Sequence, residues 1–242
     1  MIPTFNTTDI KDYQLVITGP IGVGKSTIIN NLYDILLNQH MKFNIIKEYI
    51  DGDLHLGPKM LLDYINGKIT NITFQNYILD YYYSEFNKLE NKNIVIYERI
   101  PDDALLIFAN LTHYNNPNDF NIIDLSKLFD RCVNCNNKFN IPSFINSDTK
   151  FTEITNVNTL NTLSQIVNII NEDLKNNVSK RIIGLTADTK ELQNRVNKRE
   201  RDGESKYSFE YLDKINSSYK QLYKLKSTEY KFRITNIGIV VE

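Results

Sequence analysis

The sequence has no tryptophan, two cysteines and nine glycines among its 242 residues. Cys132 and Cys135 cannot crosslink a fold of this size, which favours free thiols in a reducing compartment. Their CxxC spacing is half of a zinc site at most, with His113 the nearest histidine. No apolar run approaches the roughly 20 residues of a bilayer span, and the start lacks the basic segment of a targeting peptide. We therefore expect a soluble, cytoplasmic protein without membrane contact.

The sequence also has no marked excess of positive or negative charge. The 28 lysines and arginines nearly balance the 29 aspartates and glutamates, so the net charge is −1. No global field is available to hold a nucleic acid, and any bound anion must be held locally. The 41% hydrophobic and 24% charged residues are typical of a globular protein. The many Asn, Ile, Lys and Tyr residues favour an A+T-rich genome, such as a viral one.

Short, continuous, β-branched apolar runs predict buried parallel strands. Helical patterns lie between them, as at Ile28 to Leu36, and this alternation predicts an α/β fold with a central five-stranded parallel sheet flanked by helices. The segment from Ile72 to Leu89 is apolar nearly all round, so a helix there packs on two sides, and one side could face a ligand or a second subunit of a homodimer. The predicted strands are Leu15 to Thr18, Asn44 to Lys47, Ile94 to Tyr97, Arg181 to Leu185, and a run within Phe232 to Val241.

No linker divides the chain, and the sequence predicts a single domain over residues 1–242. An Asn-rich stretch from about residue 113 to 178 has weaker periodicity, apart from amphipathic patterns at Ile122 to Phe129 and Leu160 to Leu174. We expect this insert to be an elaborated surface segment.

The segment GPIGVGKST fits GxxxxGK[ST] and lies between an apolar strand and an amphipathic helix, as a phosphate-binding loop must. Its glycines let backbone N–H groups face phosphate oxygens at a helix N-terminus. Its lysine reaches the β- and γ-phosphates, and its serine can bind magnesium. The predicted ATP-binding residues are Gly19, Pro20, Ile21, Gly22, Val23, Gly24, Lys25, Ser26 and Thr27.

Other segments narrow the class of nucleotide-binding protein. A GTPase is disfavoured, because none of the Asn-Lys pairs is followed by the aspartate of an Asn-Lys-x-Asp base-reading motif. The strand NIVIY ends in Glu98 and Arg99, an arrangement that suits a small-molecule kinase better than a motor ATPase. Glu98 can hold the magnesium shell, partly through water, while Arg99 contacts the acceptor. Taken alone, this pair favours a surface ion pair instead.

A cluster of cations occupies NRVNKRERDGES, where Arg195 and Arg199 lie one helical turn apart and Arg201 follows. Cations on a mobile helix end can meet the charge of a transferring phosphoryl group once both substrates are bound. The sequence thus predicts a mobile, Arg-rich lid over residues 195–206. A solvated helix face is the alternative for such a run.

Four blocks in this order resemble the deoxynucleoside kinase family, including the herpesvirus-type thymidine kinases and the cellular-type enzymes. They are the phosphate loop, KEY at residues 47–49, ERIP at residues 98–101 and the lid. DYINGKITNITFQNYI at residues 63–78 is similar to a helix pair of the cellular enzymes. The resemblance implies a P-loop kinase fold, ATP as the donor, magnesium, a nucleoside acceptor and a homodimer.

The resemblance also carries roles to individual positions. Glu48 matches the carboxylate that accepts the proton of the deoxyribose 5'-hydroxyl, and Gln75 matches the glutamine at the nucleobase edge. Tyr64 and Glu204 match the pair that holds the 3'-hydroxyl, and Arg99 matches the arginine near the 5'-oxygen. Phe108 matches the aromatic residue that stacks on the base. The positions that shape the base pocket are Ile78, Tyr82 and Ala104, and the arginines of the lid are Arg195, Arg199 and Arg201.

These positions predict phosphorylation of the 5'-hydroxyl of thymidine and other pyrimidine deoxynucleosides in nucleotide salvage. A thymidylate-type monophosphate kinase is an alternative, although Glu48 would repel its phosphorylated acceptor. An inactive nucleotide-binding regulatory protein is a second alternative. The presence of the predicted catalytic residues argues against it; they are Lys25, Glu48, Arg99, Arg199 and Arg201.

Overall fold

The computed structural model describes residues 12–89, 94–110, 122–155, 158–199, 201, 204, 207–228, 232–235 and 238–241. Five parallel strands form the central sheet, in the order β2-β3-β1-β5-β4. They are β1 (Tyr13–Thr18), β2 (Phe43–Ile46), β3 (Ile94–Glu98), β4 (Lys150–Thr155) and β5 (Lys180–Thr186).

Helices follow most strands, as crossover connections between parallel strands require. The segment α5 is π-helical, and the others are α-helices. Their bounds are α1 (Lys25–Asn38), α2 (Tyr49–Gly52), α3 (Gly57–Ile65), α4 (Asn71–Asn87), α5 (Asp103–Ala109), α6 (Ile122–Phe139), α7 (Thr159–Lys175), α8 (Thr189–Arg199) and α9 (Phe209–Lys226). Within the described ranges, no helix is both long and apolar enough to cross a membrane.

The α/β fold class and four of the five predicted strands are confirmed, but the fifth strand was assigned wrongly. The C-terminal run forms β6 (Phe232–Thr235) and β7 (Gly238–Val241), which pair with each other in an antiparallel ladder. The fifth strand of the central sheet is β4, which pairs with β5. Polar residues alternate along its sequence KFTEIT because it lies at the edge of the sheet, so it lacks the continuous apolar run of a central strand.

The sheet separates two apolar cores, because successive side chains of a strand point to opposite faces. Val16 of β1 packs with residues of α4, α5, α6 and α9, whereas Leu15 and Ile17 pack with residues of α1 and α7. All three side chains are fully buried. The carboxyl ends of the central strands therefore stay at one edge, between the two layers of helices.

The expectation of a surface segment at residues 113–178 is wrong for the part of it that the structure describes. Leu125 and Leu128 of α6 are buried in one core, and Ile166 and Val167 of α7 are buried in the other. Both helices were visible as amphipathic patterns. What the sequence did not show is that β4, between them, joins the central sheet and brings both helices into the cores.

Cys132 and Cys135 are buried free thiols on α6, in agreement with the prediction. The thiol of Cys132 donates to Asp102 (3.3 Å), and burial raises the pKa of both thiols. Among the described residues, no group of three or more His, Cys, Asp or Glu residues is arranged to hold a metal ion. His113 lies outside the described residues.

Two leucines one turn apart on α7 test whether this segment belongs to the core. Leu163 is 6% exposed and Leu160 is 77% exposed. We expect Leu163→Ala to lower the free energy of unfolding in urea by about 2 to 4 kcal/mol, because it leaves a cavity. Leu160→Ala is the matched control and should change it by less than about 0.5 kcal/mol. Equal, small effects at both positions would show that α7 lies outside the core.

Candidate active site

The predicted phosphate loop connects β1 to α1 at the carboxyl edge of the sheet. Gly22 and Gly24 have φ angles of 81° and 105°, in the left-handed region that glycine adopts without strain. Lys25, the first residue of α1, is 6% exposed, and its ammonium group donates to the carbonyl oxygens of Gly19 and Pro20 (both 3.3 Å). Among the described residues, no side chain caps the first turn of α1. The loop and the helix N-terminus can therefore receive an anion.

The ends of two neighbouring strands lie beside this loop. Glu48 follows β2, Glu98 ends β3, and Arg99 comes directly after β3 with a left-handed φ of 61°. The guanidinium of Arg99 forms an ion pair with Glu48 and donates to the carbonyl oxygen of Gly19 (3.1 Å). Ser26 donates to the carboxylate of Glu98 (2.7 Å). The structure thus brings two carboxylates, two cations and a hydroxyl to one edge of the sheet.

Burial and neighbouring charges set the protonation states of this group. Burial would raise the pKa of Glu48, but the positive charges of Arg99 and Lys25 outweigh it and hold that pKa below its ordinary value. Burial and the nearby charge of Glu48 raise the pKa of Glu98. Burial and the nearby charge of Arg99 lower the pKa of Lys25 to about 8. Glu48 is therefore an anionic hydrogen-bond acceptor near neutral pH, and an incoming phosphate would favour the charged form of Lys25.

Asp103 connects the phosphate loop to this edge, and the sequence analysis missed it. Its carboxylate, 1% exposed, accepts hydrogen bonds from the hydroxyls of Thr18 and Tyr219 (2.8 Å for Tyr219) and from the backbone N–H of Ile100 (2.9 Å). Thr18 precedes the loop, Ile100 follows Arg99, and Tyr219 lies on α9. Burial raises the pKa of Asp103. The only sequence signal is its place in the doubled Asp102-Asp103 after ERIP.

Asp102 is a second buried carboxylate that the sequence analysis did not single out. It is fully buried, and it accepts from the hydroxyl of Ser143 (2.7 Å), from the backbone N–H of Phe144 (2.6 Å) and from the side-chain amide of Asn136 (2.5 Å). These bonds hold the loop that precedes β4 against the beginning of α5. Asp102 therefore stabilises the packing of α5, which lines the site, without lining the site itself.

A cavity of about 840 Å³ extends from the phosphate loop between α3, α4 and α5. Gln75 is 1% exposed, and its Oε1 has no hydrogen-bond partner among the described residues. Tyr82 directs its hydroxyl to the carbonyl oxygen of Glu98 (3.0 Å), and Arg99 lies over the ring of Phe108 (5.1 Å from its centroid). The cavity is thus largely apolar around Gln75, whose amide oxygen is unsatisfied there.

The predicted lid is described in part, since residues 200, 202–203 and 205–206 lie outside the described residues. Arg195 on α8 donates to the carbonyl oxygen of Val23 in the phosphate loop (2.8 Å). Arg199 and Arg201 both pair with Glu204, and Arg201 also pairs with Asp51 (3.0 Å). The lid arginines therefore line the cavity, and Arg199 and Arg201 form ion pairs with acidic residues there. Asp51 was not predicted, because its partner is 150 positions away in the sequence.

The structure brings nearly all of the predicted site residues to this one cavity. Gly19, Pro20 and Val23 are not among its lining residues and contribute through their backbone carbonyl oxygens. The predicted residues that line it are Ile21, Gly22, Gly24, Lys25, Ser26, Thr27, Glu48, Tyr64, Gln75, Ile78, Tyr82, Glu98, Arg99, Ala104, Phe108, Arg195, Arg199, Arg201 and Glu204.

The sequence of this chain matches one protein-family model. Residues 15–150, more than half of the chain, match the family model of the deoxynucleoside kinases. The chain belongs to the deoxynucleoside kinase family. The matched residues contain the phosphate loop, Glu48, the helices α3 and α4, and the Glu98-Arg99 pair. Membership of this family identifies the chain as a kinase and supports nucleoside phosphorylation.

Solved structures show the same fold at low sequence identity. A deoxyadenosine kinase from M. mycoides with the products dCMP and a flexible dCDP bound has a TM-score of 0.56 and 19% identity, over 93% of this chain and 90% of that chain. The same enzyme with bound dATP gives 0.54 and 18%, over 93% and 91%. With bound dCTP it gives 0.55 and 19%, over 93% and 90%. Comparison with curated proteins finds no match.

Two left-handed glycines test the packing of the lid helix on the phosphate loop. A Cβ at Gly22 would lie 2.8 Å from the carbonyl oxygen of Leu192 and 2.9 Å from Val196 on α8, whereas a Cβ at Gly67 would meet nothing within 4 Å. Both alanine variants carry a conformational cost of about 1 kcal/mol. We expect only Gly22→Ala to displace α8 and lower kcat/KM, on the order of 100-fold. Equal activity losses in the two variants would contradict this packing.

Proposed function

We propose that the chain transfers the γ-phosphoryl group of ATP to the 5'-hydroxyl of deoxynucleosides, with thymidine and other pyrimidine deoxynucleosides as substrates. The observation that carries this proposal is the Glu48–Arg99 ion pair beside the phosphate loop. It presents an anionic acceptor to a neutral hydroxyl within the cavity that contains Lys25. Family membership supports the same chemistry.

The donor side of the cavity has the properties that a nucleoside triphosphate requires. The phosphate loop, the uncapped first turn of α1 and Lys25 offer backbone N–H groups and a cation to phosphate oxygens. Arg195 reaches the same loop from α8. The dATP-bound structure of the similar kinase supports ATP as the donor.

Magnesium fits the oxygen donors near the loop. The hydroxyl of Ser26 and the carboxylate of Glu98 are hydrogen-bonded to each other (2.7 Å), and Mg²⁺ prefers hard oxygen ligands together with water and phosphate. We therefore propose that these two residues hold the ion, partly through water. When bound, the ion would neutralise charge on the transferring phosphates.

On the acceptor side of the cavity, Glu48 and Arg99 have different roles. Glu48 accepts the hydrogen bond of the 5'-hydroxyl and takes its proton as the 5'-oxygen bonds to the γ-phosphorus, while the bond from that phosphorus to the bridging oxygen breaks and ADP leaves. The proton leaves late in a loose transition state, so a carboxylate with a low pKa serves if it is well placed. Arg99 holds Glu48 and lies where it can contact the 5'-oxygen. Arg199 and Arg201 meet the developing charge from the lid.

The opposite end of the cavity suits a pyrimidine base. Gln75 has one donor and one acceptor for a base edge, and its Oε1 has no partner among the described residues. Phe108 offers a ring for stacking, and Ile78 and Ala104 are apolar. Tyr82 adds bulk, but its hydroxyl is engaged with the backbone. The family's sugar contacts correspond to Tyr64 and Glu204, which line the same cavity.

The alternatives are less well supported. A monophosphate acceptor needs free cations beside its phosphate, but Arg99 is already neutralised by Glu48. A regulatory role without chemistry does not explain the convergence of Lys25, Glu48, Arg99 and Arg201 on one cavity. The homodimer, the viral origin and the cytoplasmic location stay predictions.

Incubation with a panel of nucleosides and nucleoside monophosphates, with ATP and magnesium, tests the proposal. We expect the mass of one added phosphoryl group on thymidine and deoxycytidine. Lys25→Met is the control, and its turnover should be lower by on the order of 100-fold, since a phosphate contact is lost. Phosphorylation of monophosphates only would favour the thymidylate kinase alternative, and no product from any acceptor would favour the regulatory one.

Gln75 tests the assignment of the base pocket. Gln75→Ala removes a paired donor and acceptor from an apolar pocket, so transition-state binding of the nucleoside should weaken by about 1 to 3 kcal/mol. The KM for ATP should stay within about twofold, because Gln75 does not reach the phosphate loop. Asn76→Ala is the matched control, because the neighbouring Asn76 bonds to Ile72 and Arg131 instead of lining the cavity. If steady-state kinetics show similar changes in both variants, the base lies elsewhere.

A further inference from the structure

Asn71 lines the cavity beside Tyr64, and neither the sequence motifs nor the proposed chemistry assigns it a role. It is the first residue of α4, directly after the N-cap residue Thr70. Its side chain is 6% exposed, and its Nδ2 donates to the hydroxyl oxygen of Tyr64 (3.0 Å). Its Oδ1 is buried and has no hydrogen-bond partner among the described residues.

Helix stability does not require this amide. The side chain of Thr70 already caps α4 by accepting from the backbone N–H of Thr73 (3.3 Å), and alanine is well tolerated in the first turn of a helix. Leaving a polar atom buried without a partner is unfavourable. The side chain of Asn71 is therefore best explained by its effect on Tyr64.

The hydrogen bond from Asn71 fixes how Tyr64 can bind a ligand. A phenol has one hydrogen to donate and lone pairs that accept. Because the amide of Asn71 occupies a lone pair of the Tyr64 oxygen, the phenol hydrogen points elsewhere, and no acceptor for it is found within the described part of the chain. The ring cannot turn freely, since it stacks on Phe74 (4.8 Å between centroids, 12° between planes). Tyr64 is thus held as a hydrogen-bond donor toward the cavity.

Glu204 supplies the complementary acceptor. Its side chain is about 5% exposed and is held by Arg199 and Arg201, so its oxygens can only accept. Glu204 and Tyr64 both line the same cavity. A fixed donor and a fixed acceptor are therefore available to one ligand in that cavity.

We propose that Asn71 is a positioning residue that makes Tyr64 a fixed donor, and that the discrimination for a free 3'-hydroxyl by the family's sugar contacts, here Tyr64 and Glu204, depends on Asn71. A hydroxyl can accept from Tyr64 and donate to Glu204 at the same time, whereas hydrogen at C3' can do neither. The inference rests on the proposed function and extends it by one residue, Asn71, which contacts Tyr64 and is assigned no contact with the substrate.

The test compares the best nucleoside of the panel with its 3'-deoxy counterpart in wild-type protein, Asn71→Ala and the control Asn87→Ala. Asn87 lies at the exposed end of α4 and bonds to the carbonyl oxygen of Tyr83. We expect Asn71→Ala to lower kcat/KM for the 3'-hydroxyl substrate by about tenfold, as one hydrogen bond to the substrate is weakened. For the 3'-deoxy substrate, kcat/KM should change by less than about twofold. Asn87→Ala should have the kcat/KM of the wild type, a ratio of ~1, with both substrates.

Two further variants separate positioning from packing. Asn71→Asp keeps the size of the side chain but can only accept, so Tyr64 must donate to it and the 3'-hydroxyl preference should fall to what Glu204 alone provides. In Tyr64→Phe the preference should be reduced to the same level, and adding Asn71→Ala should change it no further. Thermal unfolding of each variant identifies any that do not fold.

The outcomes distinguish the inference from the function on which it rests. A wild-type protein that phosphorylates neither nucleoside overturns the proposed function and the inference with it. If both nucleosides are phosphorylated and Asn71→Ala lowers their kcat/KM values equally, the inference alone is overturned. Retention of the full 3'-hydroxyl preference by Asn71→Asp would also overturn it.

Discussion

The position of the Arg99 guanidinium is the constraint on which the rest of the site depends. Arg99 leaves β3 in a left-handed conformation that is unfavourable for a residue with a side chain. That turn carries the guanidinium back to Glu48 after β2 and to Gly19 after β1. Asp103 stabilises the turn through the N–H of Ile100 and holds Thr18 at the same time. Three adjacent strand ends are thereby fixed relative to one another before any substrate binds.

The same contacts pair the positive and negative side chains that are buried in the site. Glu48 stays anionic because cations surround it, and the pKa of Lys25 is low because burial and Arg99 disfavour its charge. At the lid, Arg199 and Arg201 are paired with Glu204, and Arg201 also with Asp51. Lys25, Arg99 and the lid arginines of this cavity therefore already have partners within the protein.

Local patterns in the sequence were enough to predict four strands of the central sheet, the phosphate loop between β1 and α1, and the Glu98-Arg99 pair at the end of β3. The loop motif is continuous in sequence, and the central strands are unbroken apolar runs, as in β3 (IVIYE). β4 was missed because an edge strand carries alternating polar residues. Asp103 and Asp51 were missed because their partners are as much as 116 and 150 positions away in sequence, and a pattern over neighbouring residues does not contain such contacts. Asn71 was missed because its role follows from the hydrogen bond to one phenol.

The central claim is that Glu48 accepts the proton of a neutral 5'-hydroxyl, and steady-state kinetics of Glu48→Gln with the preferred nucleoside tests it most directly. Asp51→Asn is the matched control, which neutralises a carboxylate three residues away that also pairs with an arginine. The account predicts that Glu48→Gln lowers kcat by about 100-fold or more while the KM for the nucleoside changes little. Asp51→Asn should stay within about fivefold of wild type, as expected for a half-exposed ion pair. An unchanged kcat in Glu48→Gln would contradict the account and show that Glu48 is structural.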